Sequence, residues 1–288
     1  MFASSKQLIS MPLHVKKEIA ECDRHSYDVA TIIFHNGSLY SGADDGKIIK
    51  WDTELQKVAE AEAHLSSIYA LAASDDVLYS CSNDGTIKSW SFDLKPLKTL
   101  ATENCEFWKI QVEDGVLFAG DDQGNLRIYE QDSIKGLILV LEPFKDMSIT
   151  GNSVYSGKDS EVVVTEFRKE GTYAGMHRMN LRGRAPMIAC NDKLVVTGES
   201  AKGLIIYENH KKVVEMMEAH EMIINAIIMN KGKIYSGGWD RVVKVWSMDG
   251  KEIEKCPVSI VINTMVYGND RDIFVAGGDG IILKLQDN

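Results

Sequence analysis

The same short cassette returns seven times along the 288 residues of this chain, at a nearly constant spacing. Ser41-Gly42-Ala43-Asp44-Asp45-Gly46 runs into Lys47-Ile48-Ile49-Lys50-Trp51, and Ser80-Cys81-Ser82-Asn83-Asp84-Gly85 runs into Thr86-Ile87-Lys88-Ser89-Trp90. Weaker copies close on Tyr129, Phe167, Tyr207 and Leu285, and a strong one closes on Trp246. From Trp51 to Leu285 the closing residues lie 39, 39, 38, 40, 39 and 39 residues apart. A fixed period near forty marks an array of supersecondary units that cannot bury their apolar surface alone. Length by itself would suggest about two domains, but stacked units form one cooperative object.

One unit, residues 64–100, shows what the cassette builds. Ile68 to Ala73 is a short apolar stretch, and Ser74-Asp75-Asp76 is a turn. Val77-Leu78-Tyr79-Ser80 is rich in strand formers, and Asn83-Asp84-Gly85 is a hairpin turn. Thr86 to Trp90 follows, then a polar connector, then Lys98-Thr99-Leu100. This reads as four short strands with no helical period. A four-stranded sheet with two apolar faces must be covered on both, so the units stack radially into a β-propeller of seven blades.

Three blades repeat four side chains at matching places. They are His25, Ser41, Asp45 and Trp51 in blade 1, His64, Ser80, Asp84 and Trp90 in blade 2, and His220, Ser236, Asp240 and Trp246 in blade 6. In these the chain resembles the WD-repeat family over nearly its whole length. The resemblance implies that each set of four is a buried hydrogen-bonded chain tying the strands of one blade. The other blades depart from it. Blade 3 has Ala119 and Gln123 at the Ser and Asp positions, blade 4 has Ser156 but Ser160, blade 5 has Thr197 but Ala201, and blade 7 has Ala276 and Gly280. These four are expected to rest on packing.

The last repeat ends on Leu285 with three residues to spare, so blade 7 lacks an outer strand of its own. Val15 to Ala20 matches the outer-strand slot that Lys57 to Ala61 fills ahead of His64. It is expected to pair with Ile281 to Leu285 and latch the ring, removing an exposed edge. Residues 1–13 then form a tail, and 14–288 form a single propeller.

Composition narrows the function. The net charge of −10 argues against non-specific nucleic-acid or anionic-membrane binding, and leaves basic partners open. No run approaches the length of a membrane span, and the N-terminal residues do not read as a secretory signal. The five cysteines are dispersed without a C-x-x-C pair, which fits a reducing compartment. The cytoplasm is the expected location, with the nucleus open.

Ser, His and Asp within one blade suggest a nucleophilic triad. The set occurs three times with an aromatic fourth member, inside sheets, and a catalytic site is not normally built in triplicate. The structural reading is favoured. The acidic turns Asp44-Asp45-Gly46 and Asp121-Asp122-Gln123-Gly124 read as turn formers rather than a calcium loop. No phosphate-cradling loop or nucleophile elbow is present. No catalytic residue, metal or cofactor is expected.

What remains is the top face, carrying the loops into the innermost strands and the turns before the third strands. Aligning repeats on their Ser positions gives one rim residue per blade: Ala30, Tyr69, Trp108, Lys145, Pro186, Asn225 and, allowing for extra loop length, Asn263. A second ring holds Asp44, Asn83, Asp122, Asp159, Ser200, Trp239 and Asp279. Tyr69, Trp108 and Trp239 are aromatics of the kind favoured at hot spots. Asp28, Asp44, Glu106, Asp121 and Asp122 gather near blades 1–3, and Lys145, Arg182 and Arg184 near blades 4 and 5.

These positions predict a non-catalytic scaffold, a monomeric ring within a larger complex, that docks a protein or linear peptide on its top face. Tyr69 and Trp108 are expected to flank an Arg or Lys of the guest. One alternative is the substrate receptor or adaptor of a ubiquitin ligase; Trp51-Asp52-Thr53-Glu54 comes nearest to the W-D-x-R form such adaptors often show, with Glu54 in place of Arg. The other is an enzyme with a central-channel site, which would need converging carboxylates or histidines at the mouth.

Overall fold

Tight turns set the strand lengths. In blade 2 Gly85 closes the Asn83-Asp84-Gly85 turn with φ of 80°, and a Cβ there would stand 2.2 Å from the carbonyl oxygen of Glu103. Only glycine fits both the left-handed backbone and this approach. Gly46 is held the same way against the carbonyl of His64. Each of these turns therefore butts against the loop leading into the next blade.

A computed structural model of the chain describes residues 12–140, 143–157, 160–170, 172–269 and 271–287. It contains seven four-stranded antiparallel sheets. Blade 1, for example, runs Val29–His35, Ser38–Ala43, Lys47–Trp51 and Lys57–Glu62 from the axis outward. The innermost strands of successive blades touch one another in turn, and that of blade 7, Ile262–Tyr267, returns to Val29–His35. The ring is closed.

The core is seven apolar clusters, each spanning two neighbouring blades among the described residues. Tyr40 and Ile48 of blade 1 meet Ile68 and Leu71 of blade 2, and Val195 and Ile206 of blade 5 meet Ile227 and Trp246 of blade 6. Polar side chains on the innermost strands add a second tie at several seams. The Gln111 amide exchanges two hydrogen bonds with the backbone of Ile149, at 3.0 and 3.1 Å. Asp146 accepts the Met187 N–H at 2.8 Å, and Ser148 accepts that of Ala189 at 2.8 Å. Asn225 donates to the Ile262 carbonyl, and Asn263 repeats the contact onto Val29.

The outer strand of blade 7 is His14–Glu18, antiparallel to Ile282–Gln286, with His14 opposite Gln286 and Glu18 opposite Leu283. The sequence had placed the paired segment at Val15 to Ala20. Its flanks are stapled into two seams. Leu13 is 4% exposed in the cluster between blades 6 and 7, and Ile19 is 3% exposed in the cluster between blades 7 and 1. Leu13 therefore belongs to the body rather than to the tail expected over residues 1–13; residues 1–11 of that tail lie outside the described residues. Near the chain end, buried Asp287 accepts the hydroxyl of Tyr235 and pairs with Lys233, tying it to blade 6.

The three sets of four side chains are hydrogen-bonded in series. In blade 2 the Trp90 indole N–H donates to Ser80 Oγ at 2.9 Å, and Ser80 Oγ lies 2.7 Å from His64 Nε2. His64 Nδ1 lies 3.2 Å from Asp84. With Nδ1 protonated, each donor meets one acceptor: indole to hydroxyl, hydroxyl to Nε2, Nδ1–H to carboxylate. Blade 1 repeats these distances at 2.9, 2.8 and 3.0 Å, and blade 6 at 2.8, 2.7 and 2.8 Å. Burial pushes the pKa of His64 down to about 4 and also lowers that of His220, against the pull of their aspartates. Both imidazoles are thus neutral at pH 7. Burial works against the charge of Asp84, but hydrogen bonds led by Thr86 hold its carboxyl below the usual range.

The remaining blades do not rest on packing alone. In blade 3 Asp121 is fully buried and binds Arg127 and Asn125, with the Arg127 guanidinium 5.2 Å from the centroid of the Phe107 ring. Asp121 is therefore a structural anion, not part of the acidic rim where the sequence put it. In blade 5 Thr197 Oγ donates toward the carbonyls of Arg184 and Ala185, both at 2.8 Å. In blade 7 the buried Lys284 ammonium contacts Thr53 O, Glu54 and Asp272, bridging to blade 1.

Ile19→Ala should cost about 2–4 kcal/mol of stability, because it opens a cavity in a seam. Val15→Ala, on the exposed side of the strand that Ile19 follows, should stay within about 0.5 kcal/mol. Equal denaturation midpoints for the two would show that the strand is not stapled.

Asp84→Ala should cost roughly 1–3 kcal/mol by leaving His64 underpaired. Asp121→Ala should cost more, about 3–5 kcal/mol, because it strands the Arg127 charge. Gln123→Ala, at the position that aligns with Asp84, should be mild. Urea titrations of the three variants rank them.

His64 takes up its proton near pH 6.5 when unfolded but near 4 when folded, so the unfolded chain binds more protons between these values. Stability present above pH 6.5 is therefore lost as the pH falls through this window. His64 alone should remove roughly 2 kcal/mol between pH 7 and 5. Urea titrations at the two pH values should show the loss, and His64→Asn, though less stable, should flatten the dependence.

Candidate functional site

The loops entering the innermost strands converge on the axis. All seven residues of the first ring (Ala30, Tyr69, Trp108, Lys145, Pro186, Asn225 and Asn263) line one cavity of about 450 Å³ at its mouth. The described members of the second ring stand outside its wall; Asp159 lies outside the described residues. One backbone offset, repeated in every blade, is thus enough to place a side chain at the mouth.

Two of the seven are part of the frame. The amides of Asn225 and Asn263 donate to the next blade, and they stand 3.4 Å apart. The aromatic pair also differs from expectation. The rings of Tyr69 and Trp108 meet edge to face, with centroids 6.5 Å apart and planes at 81°. They touch each other, so no slot remains between them for a guanidinium or ammonium. The expected Arg or Lys sandwich is corrected on that ground. Trp108 is half-buried, and its indole N–H donates to Glu106 at 2.7 Å.

The acidic sector proves to be engaged as well. Asp28 accepts the Asp279 N–H at 3.0 Å, clasping blade 7 to blade 1. Asp122 accepts the Glu106 N–H at 3.0 Å. Asp44 is exposed on the rim, outside the cavity. Burial, with the nearby charges of Glu106 and Asp44, raises the pKa of the Tyr69 hydroxyl. That hydroxyl is a donor, not an anion, at neutral pH.

Among the described residues, Lys109, Lys145, Arg184 and Asp146 are the charged side chains that line the cavity. Lys109 pairs with Asp146 at 2.8 Å. Burial works against the charge of Lys109, but Asp146 outweighs it and holds the ammonium above its ordinary pKa. Arg182, expected with this group, is exposed and paired with Glu199 at 2.9 Å rather than in the wall.

Trp239 is 47% exposed in the turn before the third strand of blade 6, and its backbone N–H donates to the Ile223 carbonyl at 2.9 Å. Ile223 and the adjacent Met222 are 38% and 45% exposed. Ile223 also lines the cavity, so the mouth opens onto an apolar shelf. Met222 and Ile223 were missed in the sequence because they run straight into the apolar strand Ile224–Asn230 and read as core. Their signal was position, since both precede that strand on the face where the rim was drawn.

The Ser–His–Asp sets are elsewhere. Ser41, Ser80 and Ser236 are fully buried, and each Oγ already accepts a tryptophan N–H. Among the described residues no group of three His, Cys, Asp or Glu side chains is arranged to hold a metal ion. All five cysteines are unpaired, and no described helix is long and apolar enough to cross a membrane.

The model of the family described as WD domain, G-beta repeat matches residues 55–91 and 211–247. These segments contain the strong repeats ending on Trp90 and Trp246. No curated protein matches the chain in sequence. Among solved structures it is similar to the WD40 β-propeller domain of Doa1, with a TM-score of 0.82 at 14% identity over 96% of this chain and 97% of that one. It is also similar to the computationally designed Ika8 protein, with a TM-score of 0.72 at 17% identity over 92% and 98% of the two chains. At such identities the likeness carries the fold and nothing more. Two repeats match that family model, inside a seven-bladed β-propeller whose fold is similar to the WD40 propeller domain of Doa1 along nearly its whole length.

Proposed function

We propose that this propeller is a non-catalytic docking platform that holds a peptide or protein segment across its top face. WD40 propellers are generally protein-interaction scaffolds. The observation that supports the top face here is the continuity of two surfaces. A cavity lined by Tyr69 and Trp108 opens through Ile223 onto the exposed shelf of Met222 and Trp239. Exposed aromatic and sulfur-bearing side chains beside a concave, mixed-polarity wall are what an extended segment can pack on and register against. A ligase substrate receptor would be one use of such a platform.

Catalysis gains no support from the same geometry. A serine nucleophile needs an accessible Oγ and a substrate beside it. The three candidate serines have neither, being sealed in sheets with each Oγ already bonded to a tryptophan N–H and a histidine ring.

A double variant, Met222→Ala with Trp239→Ala, should weaken the Kd of a captured partner at least tenfold, about 1.4 kcal/mol. Its melting temperature should stay close to that of the parent, because both side chains are exposed. Leu97→Ala, on the exposed outer strand of blade 2, is the control and should leave the Kd unchanged. Capture followed by titration with the purified partner measures all three. A partner that tolerates the double variant but not the control would overturn the top-face reading.

A further inference from the structure

Every described sheet stops at four strands, so each blade ends on an outer strand whose far edge carries backbone N–H and C=O groups with no strand beside them. Six of these edges are guarded. His14–Glu18, Lys57–Glu62, Lys211–Met216 and Glu252–Pro257 each hold three charged side chains. Thr172–Arg182 holds Arg178 and Arg182, and Pro96–Thr102 opens on a proline and holds Lys98. Charge and proline keep a sheet edge from taking on another strand. The outer strand of blade 3, Ser133–Leu139, has Lys135 alone and no proline. Its Ile134, Leu137 and Leu139 are each more than half exposed, and no other outer strand shows as many exposed large apolar side chains among the described residues. Ile138 is buried with Tyr173 of blade 4, and a Cβ on Gly136 would stand 2.6 Å from that of Tyr173. That face is covered, whereas Leu137 and Leu139 alternate with these residues and lie on the opposite one.

We propose that blade 3 takes an extended segment of another protein as a fifth, antiparallel strand along Ser133–Leu139. The segment is free of proline and carries alternating apolar side chains, one row of which packs across Leu137 and Leu139. Its backbone pairs with the open edge. The occupant is a slender segment rather than a second copy of the chain. Outer strands lie on the convex circumference of the ring, so two copies would meet along one strand, about 23 Å long and about 10 Å deep. That is roughly 500 Å² in all, against the roughly 1,200 Å² or more of a stable interface. Each copy also carries a net charge of −10, which opposes their approach. A segment can bend over Leu137 and Leu139 and continue past both strand ends, as a second ring cannot.

Display of random peptides of about twelve residues, enough to outrun the edge, tests this on the whole chain. Recovered sequences should be enriched about tenfold or more in alternating Val, Ile, Leu or Phe, and depleted of proline. Leu137→Lys with Leu139→Lys should weaken the Kd of a recovered peptide by about tenfold or more, with the melting temperature held because both side chains are exposed. Val213→Lys, on the outer strand of blade 5, should leave the Kd unchanged. N-methylation at every second peptide amide separates strand pairing from side-chain packing. One alternating set should abolish binding and the other be tolerated, because only alternate residues of an added strand bond to the edge. Equal tolerance of both sets, or no peptide released by the blade 3 variant, would overturn the inference. So would a dimer of the chain alone that this variant dissolves, which would give the edge to a second copy. Peptides released by Met222→Ala with Trp239→Ala but kept by the blade 3 variant would also overturn it and leave the top-face reading standing.

Discussion

Every blade of this molecule is a sheet with two apolar faces, and that constraint governs the rest. Seven described clusters occupy the seven seams, so each blade is stable only because it has a neighbour on both sides. An open arc would leave two uncovered faces and an unpaired edge. The segment at His14–Glu18 therefore does more than complete a sheet. With Leu13 in one seam and Ile19 in the next, it fills the cores on both sides of blade 7. Closure in turn makes the rim rigid, and a rigid rim is what lets one residue per blade define a site.

Within the blades, the polar chains solve a local version of the same problem. A short sheet has few backbone hydrogen bonds, so a buried network linking its strands to the incoming loop adds specificity, provided each member is satisfied. Three blades use the indole–hydroxyl–imidazole–carboxylate series. Blade 3 reaches the same end with Asp121 and Arg127, moving the carboxylate one residue beyond the Ala119-Gly120 pair and pairing it with a cation of the third strand. Lys88 and Lys244, at the equivalent third-strand position, instead donate to the carbonyls of Ala63 and Ala219 at 2.7 Å. The site accepts a cation in several blades, and what changes is the acceptor.

Period, turns and tetrads were legible because they are local, carried by residue types at fixed offsets. The mouth residues were legible for the same reason, since a backbone repeat transfers one offset around the ring. What was not legible depends on contacts across blades. Asp121 sits in an acidic turn that looks like its neighbours, and its burial is decided by Arg127 six residues later. Asp28, Asn225 and Asn263 looked available for a partner, and their hydrogen bonds to adjacent blades were set by ring closure. Tyr69 and Trp108 were correctly placed side by side, but the angle between their rings is a packing outcome no spacing encodes.

The division of labour along the innermost strands explains how the mouth can vary while the ring does not. In blades 6 and 7 the rim residue itself, Asn225 or Asn263, clasps the next blade, so those positions are bound to the frame. In blade 4 the clasp to blade 5 is made one residue later by Asp146, and again by Ser148. Position 145 can then carry a lysine at the mouth without weakening the seam. Asp146 also holds Lys109 from blade 3, so one buried carboxylate serves two neighbours. The mouth can thus vary where the frame has been secured by an adjacent residue, and closure is not lost when it does.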